Sequence, residues 1–323
     1  MSLLRVNNLC VSFFTDAGEV RAVRGLSFAL EEGKTLGLVG ESGCGKSVTA
    51  LSIMRLIPFP GKITAGEIFY RGNNLLSLED KAMQDIRGNE IAFVFQEPLT
   101  ALNPVFSIGN QLQEPIRIHQ KVAKKEALRK TVESLGDVGI PEPQRIVKNY
   151  PHQLSGGMLQ RVMIAMALSC NPSLLIADEP TTALDVTIQA EILELIAGIQ
   201  KERNMAMILI THDLGIVADR VDYTAIMYCG KIIEYAATSV IIKEPLHPYT
   251  QGLLESIPAL NQDKGTPLRT IRGTVPSLLA LPKGCSFCDR CFKVSPVCHD
   301  REPELLQVGE NRWVACHRVE SKI

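Results

Sequence analysis

GESGCGKS, residues 40–47, follows the apolar run TLGLV (residues 35–39) and precedes the largely apolar VTALSIMRL (residues 48–56). The spacing predicts a strand, a glycine-rich turn and a helix over about residues 47–56. Glycines let backbone N–H groups turn inward around a polyphosphate at a helix N-terminus. In G-x-x-x-x-G-K-[ST] the lysine then meets phosphate and the hydroxyl meets Mg²⁺. The contacts expected from this loop are Gly40, Ser42, Gly43, Cys44, Gly45, Lys46, Ser47 and Val48, with Lys46 neutralising β- and γ-phosphate charge. A flexible surface turn could carry the same letters, so the rest of the chain decides.

Further along stand LSGGMLQR (residues 154–161) and LLIADEP (residues 174–180). Phe13, residues 40–47, Gln96, residues 154–160, Asp178 with Glu179, Asp185 and His212 follow one another in an order that resembles the ATP-binding cassette (ABC) ATPases, over about residues 2–260. The resemblance implies an α/β fold: a P-loop core with a parallel sheet, an antiparallel β subdomain and an inserted helical subdomain. It implies MgATP hydrolysis, with Glu179 polarising the attacking water and His212 contacting the γ-phosphate. Gln96 and Lys46 complete the catalytic set. Mg²⁺ prefers six oxygens and keeps several waters; the implied protein ligands are Ser47, Gln96 and Asp178, the last directly or through water. Asp178 ends an apolar run, where a carboxylate is costly unless a cation or hydrogen bonds meet it.

In this family the signature acts across a dimer. Ser155, Gly156 and Gly157 are implied to clamp nucleotide bound by the opposite subunit, and Asp185 to communicate across that seam. Phe13, or the neighbouring Phe14, is the candidate for stacking on adenine. QEPLTALNP (residues 96–104) resembles the loop that joins the nucleotide site to transmembrane subunits, although its turn formers Pro98, Asn103 and Pro104 would explain an ordinary loop equally well.

Around these motifs, residues 3–30 alternate apolar and polar side chains as half-buried strands do. Residues 96–169 turn helical, with Ala127, Leu128, Val132 and Leu135 near helical spacing. Strand-like runs at 174–177 and 206–210 flank a helix over 188–203. Residues 223–228 and 231–235 predict a hairpin turned at Cys229-Gly230. The expected division is a nucleotide-binding domain at 1–242, its helical subdomain at about 97–170, and a carboxy-terminal extension at 243–323.

With 323 residues, 46% of them hydrophobic, the chain can bury a large core plus an appendage. A formal net charge of −1 shows no basic excess, so nucleic acid is not expected as the main partner. No apolar run reaches the ~18 residues of a membrane span, and the start lacks the pattern of a secretory signal. The chain is therefore expected to be cytosolic, and the resemblance implies a peripheral place at the cytoplasmic face of the cell membrane.

Five of the nine cysteines lie from residue 285 onward, which points to a local metal site. HPYTQGLLESIP (residues 247–258) and GCSFCDRC (residues 284–291), with Cys298 and Cys316, resemble the extension of peptide and nickel permease ATPases. There Cys285, Cys291, Cys298 and Cys316 are implied to hold a [4Fe–4S] cluster. Cys288 is a fifth cysteine that creates C-x-x-C-x-x-C spacing and leaves the choice of four open. Zn²⁺ suits four sulfurs equally well, and His299 or His317 could substitute as ligands. The resemblance further implies a second ATPase subunit, forming a heterodimer, two transmembrane permease subunits and an external substrate-binding protein. The rival class is a soluble ABC ATPase of DNA repair or translation with a zinc module; no second cassette, long coiled-coil insertion or basic excess favours it.

Overall fold

The computed structural model describes residues 2–182, 184–257 and 270–320. Met1, Pro258 at the end of the tail motif, and the limit at residue 323 lie outside the described residues. Two compact units share the chain: one is the described part of Glu31–Lys34 and Ser77–Ile208, the other that of Ser2–Leu30, Thr35–Leu76 and Leu209–Ile323. The strand Ala206–Thr211 carries the chain from the first into the second.

The first unit contains two parallel strands, Ile91–Val94 and Leu174–Asp178, in the register Ile91↔Leu174 through Val94↔Ala177. Every residue of Leu174–Asp178 is buried, as expected of a parallel strand covered on both faces. The helices Ile108–Gln120, Lys124–Asp137 and Gly156–Leu168 pack on one another, and the last also packs on Ile91–Val94. Lys124–Asp137 shows why: Ala127, Thr131 and Leu135 recur every four residues and are buried, while Arg129 pairs with Glu126 and Glu133 along the exposed side.

The second unit has a four-stranded sheet in the order Gly18–Glu31, Ser2–Thr15, Gly61–Tyr70, Asn73–Asn74. Leu4, Val6, Leu9 and Val11 turn one face of Ser2–Thr15 into core. A second run of strands follows the order Leu306–Gly309, Arg312–Val314, Lys231–Ala237, Tyr223–Tyr228, Thr35–Val39. Thr35–Val39 and Tyr223–Tyr228 are parallel, and the other pairings in this run are antiparallel. The hairpin turn at Cys229 (φ 44) and Gly230 (φ 82) uses two left-handed residues, as tight hairpins require.

The tail extends this sheet, because Arg312–Val314 pairs with Lys231–Ala237 through Glu234↔Val314 and Tyr235↔Trp313. Three residues are too few to announce a strand by alternation. The start of the tail motif is locked from below. The buried Glu234 carboxylate accepts from Leu246 N (2.8 Å) and His247 N (2.9 Å), and His247 Nδ1 accepts from Tyr249 N (3.0 Å) to cap the helix Pro248–Glu255. Burial pushes Glu234 up and His247 down to about 3. Among the described residues no helix is long and apolar enough to cross a membrane.

Candidate nucleotide site

The fully buried strand Thr35–Val39 aims the chain into residues 40–45, and the helix Lys46–Ile53 leaves from them. Its N-cap is Gly45 at φ 103, with no side-chain acceptor, so the first-turn amides are left for an anion. Larger residues do not fit this cradle. A Cβ on Gly45 would lie 2.4 Å from Ala22 O, and one on Gly40 would lie 2.3 Å from Met227 O and 2.8 Å from Cys44 Sγ. Lys46 is 5% exposed and folds back over the loop, donating to Gly40 O (2.7 Å) and Glu41 O (3.1 Å). Ser42 and Gly43 are exposed, whereas Ser47 and Val48 are half-buried. The Cys44 thiol is buried, and that burial pushes its pKa up, which suits a space-filling role. His212, in this same unit, is exposed just beyond Ala206–Thr211. Phe13 is half-buried over Gly61 and its neighbour Phe14 is 50% exposed.

In the first unit, strand register brings two expected residues together. Gln96 lies two positions past Val94, and Glu179 two past its partner Ala177. Gln96 Nε2 donates to Glu179 Oε2 at 3.0 Å, and Thr182 Oγ1 donates to the same oxygen at 2.9 Å. Glu179 has a left-handed backbone (φ 45), which breaks the strand immediately after the buried Asp178. Thr182 was not among the expected residues; a hydroxyl three positions after a catalytic carboxylate was its only signal.

Ser155 caps the helix Gly156–Leu168, its Oγ accepting from Met158 N at 3.4 Å. Gly157 packs at its start, where a Cβ would meet Ile188 Cγ2 at 3.1 Å, and Gly156 has room beside Leu184. Asp185, expected to communicate across a subunit seam, caps the helix Val186–Glu202 here through Ile188 N (3.1 Å).

All nine cysteines are free. Cys298 interacts electrostatically with Cys285, Cys288, Cys291 and Cys316, so the five lie in one neighbourhood. Cys285 N donates to Cys298 O at 2.8 Å. Burial first, then the neighbouring thiols, pushes Cys285 up to about 12. Four of these five sulfurs accept backbone N–H groups: Cys285 from Phe287, Cys288 from Asp289, Cys291 from Lys293 (3.3 Å), and Cys316 from Arg318 and Val319. Cys288 Sγ also lies 3.4 Å from the Asp289 carboxylate and forms, with Asp289 and His299, a group of potential metal ligands. His317 is buried, with Nε2 on Arg301 O (2.8 Å) and Nδ1 near Arg301 Nη2 (3.4 Å), so both ring nitrogens are engaged. Sequence reasoning also missed Glu41, Tyr249 and Arg290, which join the tail to the phosphate loop.

The family described as ABC transporter matches residues 23–182, and the family described as oligopeptide/dipeptide transporter, C-terminal region, matches residues 233–298. The dipeptide transport ATP-binding protein DppD of Bacillus subtilis (strain 168) is 52% identical over 315 residues, 97% of this chain and 94% of that protein. The oligopeptide transport ATP-binding protein OppD of the same strain is 49% identical over 313 residues, 97% of this chain and 87% of that protein. Among solved structures, the ATP-binding cassette MJ0796, in a dimeric post-hydrolysis state bound to ADP and Pi, is 26% identical. It covers 73% of this chain and 98% of its own, with a TM-score of 0.66.

Proposed function

The chain belongs to the ATP-binding proteins of ABC transporters, and from that premise we propose that it hydrolyses MgATP to power the uptake of peptides through a membrane permease. Residues 40–48 hold the polyphosphate, with Lys46 turning from Gly40 O and Glu41 O to phosphate oxygens. Ser47, Gln96 and Asp178 would hold Mg²⁺, which would offset phosphate charge there. Glu179 takes a proton from the water that attacks the γ-phosphorus, the bond to ADP breaks, and phosphate leaves. His212 supports the γ-phosphate and water. Phosphoryl transfer of this kind relies on positioning and charge stabilisation.

The observation that carries the catalytic reading is the grip on Glu179: Oε2 accepts from both Gln96 and Thr182, which fixes the base beside an expected Mg²⁺ ligand. Ser155, Gly156 and Gly157 complete the site of a second cassette subunit, with Asp185 at the seam and a different ATPase chain as partner. Residues 96–104 engage two transmembrane subunits at the cytoplasmic face, and an external binding protein delivers the cargo. Peptide rather than nickel is favoured by the names of the relatives, which match along the tail as well as the cassette.

The tail is proposed to hold a [4Fe–4S] cluster on Cys285, Cys291, Cys298 and Cys316. Supporting this set, four thiols gather in one neighbourhood, and three of these sulfurs accept N–H hydrogen bonds of the kind that stabilise thiolates. At Cys288 burial and then the Asp289 carboxylate disfavour a thiolate. The bound group would tie three chain segments together.

Purification of the chain from solubilised membranes tests the reading. Two permease subunits and a second cassette ATPase are expected to accompany it; ribosomes or nucleic acid in their place would overturn the transport assignment.

A further inference from the structure

The phosphate loop carries an acid at its second position, Glu41. Arg290, 249 positions away, holds that carboxylate with both arms of its guanidinium: Nη1 to Oε2 at 2.9 Å and Nη2 to Oε1 at 3.0 Å. The Arg290 side chain is 6% exposed. Its Nη1 also donates to Tyr228 Oη (3.2 Å) and its Nε to Arg272 O (3.1 Å), so the fork is fixed on every side.

The backbone of Glu41 is tied as well. Glu41 N donates to Tyr249 Oη at 2.9 Å, and Glu41 O accepts from Lys46 Nζ at 3.1 Å. Arg290 ends the turn Cys288–Arg290, directly before Cys291. Directly before that turn begins, Phe287 is buried against Tyr228, Tyr249 and His247, with ring centroids 5.3, 5.4 and 5.7 Å away. Glu41 is therefore one residue on which the phosphate-binding lysine and the cysteine-rich segment both act.

A carboxylate on the phosphate loop repels a polyphosphate unless a cation neutralises it and holds it aside. We propose that Arg290 is a positioning residue of the nucleotide site: by neutralising and orienting Glu41 it gives the phosphate loop its anion-binding form, which makes nucleotide affinity depend on the folded cysteine-rich segment. This deepens the MgATP reading and rests on it. A bare structural tether would lower thermal stability when cut and leave affinity unchanged; the proposed role requires affinity itself to fall.

The test is a double-mutant cycle on the full chain, reading the Kd for MgATP alongside Tm. Arg290→Ala is expected to raise Kd about tenfold, a typical size for coupling between sites. Glu41→Gln/Arg290→Ala should return Kd to within about threefold of the wild type, because the repelling charge is gone. Arg290→Lys keeps the charge without the fork, should raise Kd about threefold, and decides the matter if the alanine variant does not fold. An unchanged Kd in Arg290→Ala or, failing that, Arg290→Lys overturns the proposal, as does a double variant no better than Arg290→Ala. Failure of the wild-type chain to bind MgATP would instead remove the nucleotide reading itself.

Discussion

The helix Lys46–Ile53 begins at a left-handed glycine with no side chain to cap it, whereas Gly156–Leu168 begins at Ser155, whose hydroxyl accepts from Met158 N. Both starts are glycine-bearing and both carry the positive end of a helix dipole. The first leaves its amides to an outside anion and has a buried lysine folded over the gap. The second has already satisfied one amide from its own chain and has no cation in its first turn. One helix start can thus found a phosphate site, while the other is suited to completing a site founded elsewhere. This asymmetry matches the proposed division of labour between subunits.

The largest effect is expected from the residue that neither helix start supplies. Glu179→Gln should lower steady-state turnover of the assembled transporter by about 10²- to 10⁴-fold, the usual worth of a general base, with the Kd for MgATP little changed. An undiminished rate would remove Glu179 from its role.

The two helix starts should then separate cleanly. Lys46→Ala strikes the open one and should raise the Kd for MgATP roughly 10- to 100-fold, the value of a charged hydrogen-bonding partner. Ser155→Arg strikes the capped one: equilibrium binding by the isolated chain should survive, while the rate gained on assembly with partners disappears. Equal losses of binding in both variants would erase the distinction drawn here.

Metal content sharpens the contrast between cassette and tail. Anaerobically purified protein should be brown and carry about four irons per chain. Cys→Ser changes at Cys285, Cys291, Cys298 or Cys316 should each lower iron, and Cys288→Ser should spare it. Colourless protein with stoichiometric zinc would discard the cluster, and iron loss at Cys288 with Cys316 dispensable would select the C-x-x-C-x-x-C set with Cys298.

A smaller effect concerns pH. Burial holds His247 at about 3 in the folded chain, below the ordinary 6.5, so the unfolded state binds the extra proton between those values. Its contribution is present above about pH 6.5 and is lost as pH falls, by about 2 kcal/mol at pH 5. Glu234, raised by burial, opposes this trend. His247→Gln, compared with the wild type in thermal melts between pH 7 and 5, should lose less stability on acidification; identical slopes would refute the assignment. The smallest effect expected is from Thr182→Val, which removes a donor to Glu179 Oε2 and should lower turnover about tenfold, the low end for a hydrogen bond to a charged group. An unchanged rate would remove Thr182 from the positioning of the base.

The hairpin at Cys229-Gly230 was legible because its turn needs two left-handed residues and flanks them with alternating strands. The glycine loop and its helix were legible for a related reason, since few residues fit a Cβ-free cradle. The pairing of Gln96 with Glu179 was not, because the register Val94↔Ala177 depends on how two uniformly apolar strands slide past each other. Asp185 shows a different limit: its local capping of Val186–Glu202 and its expected part in subunit contact use the same carboxylate, and sequence order alone suggests only the second. Separation also concealed the ion pair of Glu41 with Arg290. The cysteine-rich tail is 249 positions from the phosphate loop at this contact, yet within one compact unit its arginine grips that loop.

The most direct measurement of the central claim is the ATP hydrolysis rate of the purified complex in lipid, with and without peptide-loaded external binding protein, beside that of the isolated chain. The account predicts slow turnover by the chain alone, a rise on assembly with its partner ATPase and permease subunits, and a further rise with peptide that Glu179→Gln abolishes. Full activity in a demonstrably monomeric chain, indifferent to partners and peptide, would contradict it.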